Sequence, residues 1–176
     1  FEISFEFASF VAHLFSFRSS NQSLADCPKK DDHLTLEHME SQLETLKQVF
    51  ALLVRGGYCL IRIPTVSSYA WQYYKEDWIQ LDAPRHFYLH SVDSLKFLAD
   101  KSGFIIERII DDSDAFQFWG SEQYQMDIPL RDPRSYDESK RRSVFSSKMI
   151  REFSIKANEL NQKRQGDQII IYLKKP

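Results

Sequence analysis

The chain has 176 residues, 43% of them hydrophobic, with 23 basic against 25 acidic side chains and a formal charge of −2. That length can bury one full core and is one domain's worth. The lack of a basic surplus excludes a nucleic-acid binder that lives on phosphate contacts, and Lys140-Arg141-Arg142, with acidic residues before it, reads as a solvated helix start.

Residues 1–33 differ in character from the rest. Phe1, Ile3, Phe5 and Phe7 alternate with Glu2, Ser4 and Glu6 as in a half-buried strand, and Phe10, Val11, Leu14, Phe15 and Phe17 suit a short amphipathic helix. The greasy stretch 7–17 contains His13 and falls well short of the roughly 20 residues of a bilayer span, so no membrane span is expected. It also lacks the basic start and small-residue cleavage site of a signal peptide. Residues 19–30 read as a linker. The first residue is Phe, which suggests a piece of a longer product, or a front end replaced by frameshift or fusion. Cys27 and Cys59 are too few and too far apart for a disulfide framework, and a reducing cytoplasm is the expected compartment.

From Leu34 the patterning sharpens. Leu34-Thr35-Leu36 reads as the end of a short strand, and apolar Leu43, Leu46, Val49, Phe50 and Leu53 predict a helix over 41–54. Gly56-Gly57 then supplies the turn into a strand over 58–63, closed by Pro64. Because nearly every residue of that strand is apolar, it reads as an interior strand covered on both faces. A long aromatic segment follows, with Tyr69, Trp71, Tyr73, Tyr74 and Trp78; at the carboxyl end of a strand it predicts the mouth of a ligand site.

Ser91 caps a helix predicted over 92–102, Gly103 ends it, and a strand over 104–110 comes next. Asp111, Asp112 and Asp114 mark the end of that strand. Phe116, Phe118 and Trp119 read as core, lid or dimer contact, with 120–124 turning polar. A loop over 131–139, a helix over 142–163 with Phe145, Met149, Phe153, Ala157 and Leu160 on one face, a break at Gly166-Asp167 and a last strand over 168–173 complete the chain. An open sheet edge in such a fold is a template for self-association.

The densest polar cluster is Asp82-Ala83-Pro84-Arg85-His86, with His90 four residues on. His86 is the candidate base, since imidazole titrates near neutrality. Arg85 can hold an acceptor's carboxylate or phosphate through a bidentate fork, with Asp82 positioning the acceptor or His86; in the plainer alternative, Asp82 and Arg85 are a structural ion pair. A metal shared by His86 and His90 is disfavoured, because Pro84 and Phe87-Tyr88-Leu89 argue against a regular helix there, and the expectation is no metal. A zinc hydrolase built on Asp82, His86 and His90 is the reading this sets aside. Gly56-Gly57 precedes a strand, so it is not a phosphate loop.

Several words in this order, LEHM at 36–39, GGYCLIRIP at 56–64, LDAPRHFYLHS at 81–91 and Gly103-Phe104, resemble the C-terminal half of class I S-adenosylmethionine-dependent methyltransferases. FQFWGSEQY at 116–124 is similar to one bacterial branch of that family, and the likeness runs over about 34–176. The resemblance implies a partial Rossmann-like α/β sheet with a helical insertion and an antiparallel last strand. It implies methyl transfer from S-adenosylmethionine to a small-molecule or glycan-type acceptor. Glu37 and His38 would shape the floor of the cofactor pocket, His86 would be catalytic, and Asp82, Arg85, His90, Tyr69, Trp71 and Trp78 would line the acceptor side. The family's glycine-rich loop after its first strand is missing from the sequence. A non-catalytic methyltransferase-like interaction protein that has lost cofactor binding is the alternative reading.

Overall fold

The computed structural model describes residues 36–176; the strand and helix expected within 1–33, with His13, Cys27 and His33, lie outside the described residues. Three strands form the sheet: β1 (Tyr58–Pro64), β2 (Ile105–Asp111) and β3 (Gln168–Lys174). Their order is β1-β3-β2, and β3 is antiparallel to both neighbours, as expected of the last strand. Ile171 lies opposite Ile61 on one side and Ile109 on the other, so β1 and β2 run the same way with the return strand between them.

β1 was expected in the sheet interior, and the structure corrects this. Among the described residues β1 is laddered to β3 alone, apart from an isolated parallel bridge between Thr65 and His90. Cys59, Ile61 and Ile63 are buried while Leu60 and Arg62 are only half-buried. Unbroken apolar sequence suggested two covered faces, but one face takes most of the packing and the period-2 alternation survives in burial.

The covered face carries α1 (Gln42–Leu52) and α3 (Val92–Ser102). Leu46, Val49, Leu95 and Ala99 meet Ile61, Ile63, Ile169 and Ile171 in one cluster. Ser91 starts α3 by accepting a hydrogen bond from the Ser94 amide, and Gly103 ends it at φ 87°, a conformation that costs a residue with a Cβ. Leu36–His38 is a 3₁₀ turn; Leu34 and Thr35, where the end of a strand is expected, lie outside the described residues.

A second cluster sits over the carboxyl ends of β1 and β2. It is built from α2 (Tyr69–Tyr74), α4 (Phe116–Gln125) and α5 (Ser147–Gln162), with Trp78, Ile79, Phe118 and Leu160 inside. The segment 116–124, read from the sequence as apolar up to Trp119 and polar from Gly120, is helical throughout. Its polar residues serve packing: the Ser121 hydroxyl accepts from the Ile79 amide at 3.0 Å and donates to the Gln117 carbonyl at 2.7 Å. α5 starts later than the predicted 142, because Ser146 caps it by accepting from the Met149 amide. Among the described residues no helix is long and apolar enough to cross a membrane.

Gly120 allows Ile79 against α4: a Cβ there would lie 2.8 Å from Ile79 Cγ1. Gly120→Ala is therefore expected to destabilise despite alanine's better helix propensity of about 1 kcal/mol, because overpacking costs about 1–3 kcal/mol. A melting temperature at or above that of the parent would show that Ile79 moves aside freely.

Candidate functional site

Two words of the sequence far apart in the chain are stitched together here. The Phe87 amide donates to the Glu37 carbonyl at 2.9 Å, and His38 Nδ1 lies 2.9 Å from the Arg85 carbonyl. His86 Nδ1 lies 2.8 Å from the Gln80 carbonyl. A carbonyl only accepts, so in both rings Nδ1 carries the hydrogen and Nε2 of the neutral imidazole keeps its lone pair. The two rings are 4.7 Å apart between centroids and tilted by 59°.

Asp82, in the left-handed region at φ 40°, accepts from Arg85 Nε at 3.0 Å and Nη2 at 2.7 Å. Its other oxygen stands 3.7 Å from His86 Nε2. Arg85 is 69% exposed at the side chain, so this pair steers geometry more than it stabilises the fold. Burial pushes the His86 pKa below the ordinary imidazole value, opposed by the bond to the Gln80 carbonyl and by Asp82. Glu37 is 6% exposed, and its burial raises the carboxyl pKa, against its own backbone amide and the charges of His38 and Arg62.

The ligand atoms of Glu37, His38 and His86 lie within 4.8 Å of one another. That is a three-donor set. Beside it is a cavity of about 200 Å³, lined by Arg62, Gln80, Asp114, Phe116, Gln117 and Asp167 among others. Gln80 joins the two, since its carbonyl holds His86 and its residue lines the cavity. Arg62 is pinned by Asp112, with Nε 2.7 Å from Oδ2.

Four expected site residues need separate comment. His90 does not join the cluster: it is buried, its Nε2 donates to Gln42 Oε1 at 2.8 Å and its Nδ1 meets the Ser94 hydroxyl at 3.0 Å. Gln42 must present oxygen there, because its amide nitrogen donates to the Leu36 carbonyl. His90 thus ties α1 to the start of α3, and neither nitrogen is left for an acceptor. Trp78, expected at the mouth, is fully buried and donates to Asp167 Oδ2 at 3.1 Å, so it anchors the segment from inside. Trp71 is half-buried and meets Trp78 edge-on, while Tyr69 stacks on Tyr73 with Lys156 Nζ 4.6 Å from its ring.

Asp167 and Gln117 were not singled out from the sequence. Asp167 is fully enclosed, hydrogen-bonded by Trp78 and Ser113, and burial pushes its carboxyl up to about 6. Gln117 is 1% exposed, and its Oε1 has no hydrogen-bond partner. The one available signal was the acidic run 111–114 after β2 and the Gly166-Asp167 pair before β3, which read simply as chain breaks.

The residues described do not supply a cradle for S-adenosylmethionine. Of the five glycines, Gly56 and Gly57 precede β1, Gly103 ends α3, Gly120 lies inside α4 and Gly166 precedes β3. None follows a strand and opens a helix, as a glycine-rich nucleotide turn does.

A family model described as a methyltransferase domain matches residues 34–109. No curated protein matches the chain. Among solved structures, a SAM dependent methyltransferase from Archaeoglobus fulgidus is similar, at 18% identity and a TM-score of 0.41 over 82% of this chain. The chain spans 56% of that protein's length. Residues 34–109 are thus similar to a methyltransferase domain.

Proposed function

We propose that this chain forms the acceptor side of an S-adenosylmethionine-dependent methyltransferase, with His86 meeting a hydroxyl-bearing small-molecule or glycan-type acceptor. The observation that carries this reading is the fixed ring of His86. Its Nδ1–H is held by the Gln80 carbonyl and its side chain is 5% exposed, which leaves Nε2 as the reactive nitrogen beside Asp82. Such a nitrogen takes a proton from the acceptor or orients it. Asp82 holds Arg85 in place and favours a positive charge on His86. The half-buried Tyr69 and Trp71 belong to the outer wall, and Glu37 and His38 to the cofactor side. S-adenosylmethionine would supply the methyl group; its glycine-rich cradle comes from outside the described residues.

Two measurements test this. Calorimetric titration of the 176-residue chain with S-adenosylmethionine is expected to show no micromolar binding; micromolar affinity overturns the account of the missing cradle. In the protein's full reading frame, transfer of labelled methyl from S-adenosylmethionine into a small-molecule or glycan fraction is expected. His86→Asn should slow it by about 10²–10⁴-fold. An undiminished rate in that variant removes His86 from the chemistry, and a protein that folds and binds partners but transfers no methyl favours a non-catalytic relative.

A further inference from the structure

We propose that Glu37, His38 and His86 form a binding site for a divalent first-row transition-metal ion. This goes beyond the methyl-transfer reading; the sequence argues against a metal shared by His86 and His90, and the structure brings His86 to Glu37 and His38 instead.

Three observations converge. First, both histidines donate Nδ1–H to a main-chain carbonyl, His38 to Arg85 at 2.9 Å and His86 to Gln80 at 2.8 Å. This is the arrangement that orients a metal-ligating imidazole and directs the Nε2 lone pair at the ion. Second, the donor atoms of all three side chains already lie within 4.8 Å of one another, with Glu37 Oε1 3.9 Å from His38 Nε2. Donors on one zinc ion stand about 3.4 Å apart, given bond lengths of about 2.0–2.1 Å, so side-chain rotations of about 1 Å close the set. Third, Glu37 is 6% exposed and its Oε2 has no hydrogen-bond partner. A buried carboxylate oxygen without a partner is costly, and a bound cation is one of the few things that satisfies it.

The surrounding charge allows it. Asp82 Oδ2 stands 3.7 Å from His86 Nε2 and adds negative potential, while the nearby Arg62 is already paired with Asp112 at 2.7 Å. Two imidazoles with one carboxylate select zinc, iron, cobalt or nickel over magnesium or calcium, which prefer oxygen. Three protein donors leave coordination positions open to water or to an oxygen of the acceptor. With the ion bound, the Nε2 lone pair of His86 cannot also take a proton, so in that use His86 orients the acceptor through the ion, and the inference rests on the orienting role in the proposed function.

Calorimetric titration with zinc chloride, and separately with magnesium chloride, tests the site without cofactor or acceptor. Saturable one-to-one zinc uptake is expected, with magnesium far weaker. His38→Gln and His86→Asn should each weaken zinc binding by about tenfold or more. His38 is partly exposed at the side chain, so its variant keeps the fold, which far-ultraviolet circular dichroism checks. Imidazole ¹⁵N spectra should show zinc shifting Nε2 of His38 and His86 while Nδ1 stays protonated. No saturable uptake by the parent chain, parental affinity in His38→Gln and His86→Asn, or a shift centred on Nδ1 would each overturn the site. Methyl transfer enters none of these readouts, so failure here leaves the proposed function standing, and failed methyl transfer leaves the zinc result intact.

Discussion

Trp78→Ala is expected to remove about 3–5 kcal/mol of stability, the range for truncating a large buried aromatic side chain. Domains of this kind hold about 5–15 kcal/mol in total, so the loss takes a large share of it. The ring is completely buried in the cluster of α2, α4 and α5, packs edge-on against Trp71, and its indole N–H is bonded to Asp167 Oδ2 at 3.1 Å. Truncation leaves a cavity and also deprives a buried carboxylate of a donor. Trp78→Phe separates the two effects: it keeps most of the packing and loses the N–H, at a cost of about 1–3 kcal/mol. Urea unfolding followed by far-ultraviolet circular dichroism measures both. A Trp78→Ala midpoint close to the parent's would mean that the ring is not a core residue.

The second large effect is a dependence of stability on pH that runs through Asp167. Burial raises its carboxyl from 3.8 to about 6, and the bonds from Ser113 and Trp78 only partly counter this. Between those values the native state holds a proton that the unfolded chain has released. Stability therefore falls as pH rises from about 4 to about 6, by up to about 3 kcal/mol at 1.36 kcal/mol per unit, and stays lower above that. Asp167→Asn keeps an oxygen for the Trp78 N–H and removes the charge. It should match the parent near pH 4 and exceed it by about 1–3 kcal/mol at pH 7.5. A constant difference across the range would place the pH dependence on other groups.

Much of the fold was legible because it rests on local rules. Apolar spacing at Leu46 and Val49 marked α1, Ser91 and Gly103 bracketed α3, and Gly166-Asp167 announced the return strand. Misreadings arose where tertiary packing overrode composition. Residues 120–124 read only as a polar segment, yet Ser121 and Gln123, with Gln117 before them, are buried and bonded within or beside a helix. Aromatic content in 69–78 suggested a mouth; Trp78 instead turns inward because Asp167, far along the chain, accepts its N–H. The candidate site divides in the same way. His86, Asp82 and Arg85 stood out as a dense polar word, and they do lie together; His90 stood in that same word and serves packing instead.

The resemblance implied the antiparallel return of β3; by itself the sequence determined the order and kind of most elements, the helices α2 and α4 excepted, and the Ser91 and Gly103 caps of α3. These follow from periodicity and backbone preference, which act over a few residues and are written in consecutive letters. Only the tertiary structure decided that Glu37 and His38 meet His86, that β3 and not β1 is the central strand among the described residues, and that Asp167 is sealed beneath Trp78. Each of those depends on groups brought together by closing long loops around a shared core. The free energy of such contacts comes from burial and desolvation, which no local spacing encodes.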